Sequence, residues 1–196
     1  MVYIWMMNYL AHLYLSCHDQ NLMVGNFIGD HITNREMKHL PAAICEGVEM
    51  HRAIDYYTDT HPVTRQVRAS LFETYRHRSR VIVDLFYDHF LAADFESISG
   101  ESLSSFSNKV QDDLNQHITH MPLSAKKYLR AMENHDWLNQ YATLDGLAGI
   151  LQMMSRRKNV PNMGASVEVL KMNYPYYKNS FYLFFQDLQS RFKQKQ

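Results

Sequence analysis

Two short stretches carry side chains whose spacing suits chemistry. GVEMHRAIDYYTDTHP places His51 and Asp55 four residues apart, and DLFYDHF places Asp84 and Asp88 four apart with His89 next to the second. Residues four apart share a helix face, and His89 lies about 100° round from Asp88. Asp84, Asp88 and His89 are interleaved with Leu85, Phe86, Tyr87 and Phe90, which look like core positions. An ionised carboxylate is costly to bury unless it is paired or bound to a metal. Two further positions can join them: His12 in NYLAHLYLS and Asp30 at the end of GNFIGD. Mixed nitrogen and oxygen donors suit Mn²⁺, Fe²⁺, Zn²⁺ or Mg²⁺ with water completing the shell. Such an ion acidifies a bound water and stabilises charge growing on phosphoryl oxygens.

Each residue also has a plainer reading. An i,i+4 His–Asp pair is often only local ion pairing, Asp84 at a helix entry complements the dipole, and a histidine like His12 can be a hydrogen-bonded core residue. Asp59, just before Thr60, His61 and Pro62, reads as a cap or turn residue.

These side chains need helices to position them, and periodicity supplies helices. Val81, Ile82, Leu85, Phe86, His89, Phe90 and Ala93 recur at three- and four-residue spacing, which predicts a central helix from about 79 to 95. A helix runs over 21–31, where Gly25 and Gly29 imply close backbone approach by a neighbour. Pro41 opens another to about Tyr57, and Pro62 starts the next. Later helices are expected at 102–118, 122–133, 143–157, 163–172 and 176–193, with Pro175 breaking the last two. The fold class is all-α: a single-domain irregular bundle of seven to nine helices spanning residues 1–196, with 1–6 a candidate N-terminal extension.

Composition narrows the function classes. The 196 residues are enough for one well-buried core, and 46% are hydrophobic while Gly (7) and Pro (5) are few. Formal net charge is zero, so no global field draws in nucleic acid or an anionic membrane. Cys17 and Cys45 form no CxxC pattern, and the cytoplasm is the expected compartment. The uncharged opening MVYIWMMNYLAHLYLSCH lacks a basic leader and cleavage site, so it reads as part of the domain. No G-x-S-x-G, Walker A or G-x-G-x-x-G motif is present.

Arg65, Arg68, Arg76, Arg78 and Arg80 fall within residues 62–80, where Glu73 is the only acid. Such clustering reads either as a solvated face or as a patch that docks an acidic partner. Arg52, beside His51, is the candidate phosphate ligand.

Four motifs in order, MNYLAHLYLS (7–16), GNFIGD (25–30), MHRAIDYYTDTHP (50–62) and DLFYDHFLA (84–92), resemble the bacterial acyl carrier protein phosphodiesterase family. Similarity continues more weakly through WLNQY (137–141) and Ser155–Arg157. The resemblance implies an enzyme that hydrolyses the phosphodiester of holo acyl carrier protein, releasing 4′-phosphopantetheine and apo carrier by metal-activated water. It also implies Mn²⁺ dependence and a fold distantly related to HD-type metal phosphohydrolases. By that analogy the metal ligands come from His12, Asp30, His51, Asp55, Asp88 and His89, with Asp30, Asp84 and Arg52 as catalytic groups. HD-type enzymes read His then Asp, whereas this chain reads Asp88 then His89, so their ligand assignment does not transfer directly. Gly29 stands where the family pattern suggests alanine, a small-for-small change expected to matter little. The acidic carrier is expected on the Arg65–Arg80 surface. Two rivals share these motifs: a related phosphohydrolase of a nucleotide or other small phosphodiester, and a non-catalytic helical protein that binds the carrier.

Overall fold

The computed structural model describes residues 9–155 and 162–192. The proposed extension 1–6, Arg156, Arg157 and Lys158 lie outside the described residues. Among those described there are only helices and their connections, so the chain is all-α. The α-helical segments are α1 (Tyr9–Ser16), α2 (Gln20–Ile28), α3 (Asn34–Met37), α4 (Ala42–Thr60), α5 (Pro62–Tyr75), α6 (Ser79–Ala93), α7 (Phe95–Ser99), α8 (Leu103–Gln116), α9 (Leu123–Asn134), α10 (Trp137–Gln140), α11 (Leu144–Ser155), α12 (Ser166–Met172) and α13 (Tyr174–Phe192).

Thirteen segments exceed the expected seven to nine by the four- or five-residue pieces α3, α7 and α10, too short to show a period, and by the eight-residue α1, whose largely apolar run shows none. The expected break between the last two helices is present, with Pro175 in the first turn of α13, where its missing N–H costs nothing. Asp19 caps α2, accepting from the N–H groups of Asn21 and Leu22 at 2.8 and 3.0 Å. Pro62 is the first residue of α5.

The expected central helix is α6. From Val81 through Ala92 every residue of it is buried, which is what a helix apolar on nearly all sides requires. It packs against α1, α5, α11 and α13. The closest pairing in the molecule is α2 against α4. A Cβ on Gly25 would lie 2.7 Å from the Cα of Gly47, and one on Gly47 would lie 2.3 Å from the carbonyl oxygen of Leu22. The two backbones therefore touch where no side chain intervenes. No helix is long and apolar enough to cross a membrane among the described residues.

Candidate metal centre

Backbone contact between α2 and α4 sets the geometry of the site. His51 and Asp55 lie one turn apart on α4, Asp30 follows α2 in a single 3-10 turn, and His12 reaches in from α1. His12 and His51 are buried, 0% and 1% exposed, and their rings stack with centroids 4.3 Å apart. Nε2 of His12 lies 3.2 Å from Oδ1 of Asp55, and Nε2 of His51 lies 3.3 Å from its Oδ2 and 3.4 Å from Oδ1 of Asp30. The carboxylates keep about a fifth of their side-chain surface open to solvent, 21% for Asp55 and 23% for Asp30. The centre is thus walled by imidazoles inside and opens through its acids.

Despite these short distances, neither Nε2 nor Oδ1 of Asp55 makes an aligned hydrogen bond. Buried polar atoms rarely go unpaired. Ligand atoms of His12, His51 and Asp55 all lie within 4.8 Å of one another, a spacing that can hold one ion. Two imidazole nitrogens and carboxylate oxygens form the donor set of a divalent transition metal, so the residues fit the group.

The same carboxylates also favour a proton on the ring of His51. Burial works against a charged His51, but the adjacent carboxylates of Asp30 and Asp55 outweigh it and carry its pKa up to about 10. Burial acts on Asp55 in the opposite sense to its partners, and His12 and His51 win, holding its carboxyl well below the usual range.

The remaining expected ligands stand outside this cluster. Asp88 is fully buried, and its carboxylate accepts from the backbone N–H groups of Leu10 and Ala11 at 3.3 and 3.2 Å. It serves the first turn of α1 and so seats His12 indirectly. Burial pushes its pKa up to about 8 against the pull of those two N–H groups. His89 turns away: Nδ1 lies 2.8 Å from the carbonyl oxygen of Tyr141 and Nε2 3.1 Å from the hydroxyl of Tyr174. With both nitrogens engaged, it has a structural seat in place of the expected ligand role. One helix position, about 100° of rotation, separates the two fates.

Asp84 is buried, and its pKa is pushed well up by desolvation, then by the charges of Asp55 and Asp59, with Arg80 opposing. It lies within electrostatic reach of the cluster, and its surroundings favour the protonated form. Arg52 points elsewhere. Its guanidinium pairs with Glu49 at 2.9 Å and lines a separate groove with Asn34, Lys38 and Cys45, which corrects the expectation that it shares the histidines' cleft. Asp59 is not a cap but an ion-pair hub, bound by Arg68 at 3.0 Å and by Arg80.

One residue of the site escaped the sequence reading, and the weight of another was underrated. Asn26, inside GNFIGD, is 0% exposed. Its Oδ1 lies 2.7 Å from Nδ1 of His12 and its backbone oxygen 2.7 Å from Nδ1 of His51. An amide between Gly25 and Phe27 in an apolar run was the available signal, since a buried amide must find partners. Gly29 is the other. A Cβ there would lie 2.3 Å from Cγ of His51, so in this chain the absent side chain leaves room for the ring, and alanine at this position would crowd it.

The fold and this cluster define a class: an all-helical protein with a candidate divalent-metal centre built between paired helices. Residues 7–188 match the family described as acyl carrier protein phosphodiesterase, and the chain belongs to that family. It is similar to proteins named acyl carrier protein phosphodiesterase from Yersinia pestis, 28% identical over 192 residues, and from Serratia proteamaculans, 29% identical over 195 residues. Each of these alignments covers 97% of this chain and 100% of the relative. A protein of the same name from Photorhabdus laumondii is 27% identical over 91% of both chains. No solved structure matches.

Proposed function

We propose that this protein hydrolyses the phosphodiester joining 4′-phosphopantetheine to a serine of holo acyl carrier protein. The oxygen of water bonds to phosphorus, the bond from phosphorus to the serine oxygen breaks, and that oxygen leaves with a proton. Phosphopantetheine and the apo carrier are the products. The observation that carries this reading is the convergence of two buried, unpaired Nε2 atoms on Asp55 in a chain of this family.

His12, His51 and Asp55, with Asp30 at the open side, would hold the ion, for which Mn²⁺ is the first choice and Mg²⁺, Fe²⁺ or Zn²⁺ suit the same donors. When bound it supplies an acidified water and a positive charge for the phosphoryl oxygens. The protein's own acids divide by environment. Asp30, solvent-facing and beside His51, is placed to take a proton from water. Asp84, whose protonated form burial and the charges of Asp55 and Asp59 favour, suits the opposite task of giving one to the leaving oxygen. Asp88 acts through α1, and HD-type ancestry is the expectation for the scaffold.

The acidic carrier would dock in the cytoplasm on the arginine face, where Arg65 and Arg68 flank Phe72 around a shallow pocket of 220 Å³. Arg76 stands over the Phe72 ring with its guanidinium carbon 5.8 Å from the centroid. Arg78 and Arg80 continue the patch toward α6. Tyr56, 73% exposed and next to Asp55 in sequence, offers a stacking surface on the way in.

The test is to incubate the pure protein with holo carrier and Mn²⁺ and to weigh the carrier by mass spectrometry. Loss of the phosphopantetheine mass, abolished by chelation and by Asp55→Ala, is expected. An unchanged carrier together with turnover of a small phosphodiester would replace this reading with the small-molecule one. An unchanged carrier that stays bound, with no metal in the protein, would favour the non-catalytic binder.

A further inference from the structure

We propose that Asn26 is the positioning residue that fixes the tautomer of both histidines, one through its side chain and one through its backbone, so that both Nε2 atoms face the ion. The inference rests on the metal reading above and assigns a residue that the motif spacing alone leaves without a role.

The argument is a complete count of donors and acceptors. Nδ2 of Asn26 donates to the carbonyl oxygen of His12 at 2.9 Å and to Oγ of Ser16 at 3.3 Å. The Ser16 hydroxyl spends its proton on that same carbonyl, at 2.8 Å, so its oxygen is free to accept. Were the amide turned over, its oxygen would face the His12 carbonyl oxygen at the same short distance, two acceptors with no proton between them. The orientation is therefore settled by the network. Oδ1 faces Nδ1 of His12 at 2.7 Å and can only accept, so that nitrogen carries the proton. The backbone carbonyl of Asn26 likewise can only accept, so Nδ1 of His51, also at 2.7 Å, carries one too.

Both rings are left with Nε2 toward Asp55, which is the form a metal ligand needs. An outer partner that fixes a ligand's tautomer and ring angle typically changes metal affinity about 10- to 100-fold. Here a single residue serves two ligands from two different helices. The contact of Gly25 with Gly47 makes this possible, because it brings the carbonyl next to Gly25 within reach of an imidazole on α4.

The two holds differ in what a substitution removes, and that difference provides the test. Zn²⁺, being diamagnetic, is titrated into the protein while affinity is measured by calorimetry and the histidine nitrogens are read by long-range ¹H–¹⁵N NMR. In the unsubstituted protein both His12 and His51 are expected to show protonated Nδ1 and metal-shifted Nε2. Asn26→Ala should weaken zinc binding about 10- to 100-fold and loosen His12 alone, since the backbone carbonyl still holds His51. Asn26→Asp keeps the acceptor for Nδ1 of His12, and its carboxyl, buried among acceptors and so held protonated, can donate to the His12 carbonyl oxygen in place of Nδ2, so it should recover part of the affinity.

Zinc on Nδ1 of either histidine in the unsubstituted protein overturns the proposal without any variant having to fold. So does an affinity for Asn26→Ala equal to the original, or one for folded Asn26→Asp no better than that of Asn26→Ala, the pattern of a merely structural amide. No zinc binding by the unsubstituted protein would sink the metal reading as well.

Discussion

His51 illustrates how one side chain stores the behaviour of the site. Its pKa of about 10 in the metal-free protein means that a proton occupies the nitrogen an ion would use. Metal and proton compete for Nε2, so metal binding releases a proton at neutral pH. The sign follows: below about 10 each unit of rising pH removes competing protons, and apparent Mn²⁺ affinity should climb by up to about tenfold per unit for the one proton displaced. Calorimetry in two buffers of different ionisation enthalpy measures the released proton, and an affinity flat between pH 6 and 8 would contradict it. The same residue shows what was legible in advance. His51 and Asp55 were visible by their four-residue spacing, Asp30 by its place after the paired glycines, and His12 as a polar residue among apolar ones. Asp88 and His89 met the same criterion, yet hydrogen bonds to the α1 backbone and to Tyr141 and Tyr174 satisfy them. A buried polar residue announces that it has a partner, and the type of partner depends on contacts between distant parts of the chain.

At the scale of elements, α1 is held by an acid from α6. Asp88→Ala should leave two first-turn N–H groups without their acceptor, a loss of about 0.5–2 kcal/mol by analogy with helix caps, and should displace His12. Asp88→Asn keeps one acceptor and removes the ionisation. Because the folded pKa of Asp88, about 8, is raised above that of the unfolded chain, its contribution is full below the unfolded carboxylate pKa near 3.9. It is lost as pH rises toward 8. The Asn variant should therefore gain in Tm relative to the original between pH 4 and pH 9, which thermal unfolding at several pH values will show. A second element-scale prediction concerns the α2–α4 contact. Gly47→Ala inserts a methyl 2.3 Å from the Leu22 carbonyl oxygen and should cost about 1–3 kcal/mol as overpacking, with metal affinity falling as the helices part. Gly25 was expected to mark close approach and does. Gly47 gave no such signal, because a lone glycine in a helical pattern does not name the neighbour it admits. The start of α5 followed from Pro62 and the extent of α6 from three- and four-residue periodicity, while the one-turn helices α3, α7 and α10 carried too few residues for any period.

Across the whole molecule, charge is balanced overall and uneven locally. Arg68 and Arg80 are already engaged by Asp59, so Arg65 and Arg76 are the cleaner probes of docking. Replacing both with Glu should raise KM for the carrier several-fold, more at low salt than at high, with kcat little changed. An unaltered KM would move the docking face elsewhere. The arginine cluster was evident in the sequence, but its partial neutralisation was not, since Asp59 lies on a different helix from both of its partners. Arg52 misled for a related reason: adjacency in sequence places it on another flank of α4, where Glu49 claims it.

The reach of Asp88 to Leu10 and Ala11 crosses 78 and 77 residues of chain, whereas Asn26, Asp30, His51 and Asp55 all lie within one pair of neighbouring helices. During synthesis the α2–α4 half of the centre can therefore assemble as soon as it leaves the ribosome. His12 is joined to that half by Asn26 across only 14 residues, whereas the clasp of Asp88 on α1 waits for α6 to emerge, so the ring can be seated early while its helix is fastened late.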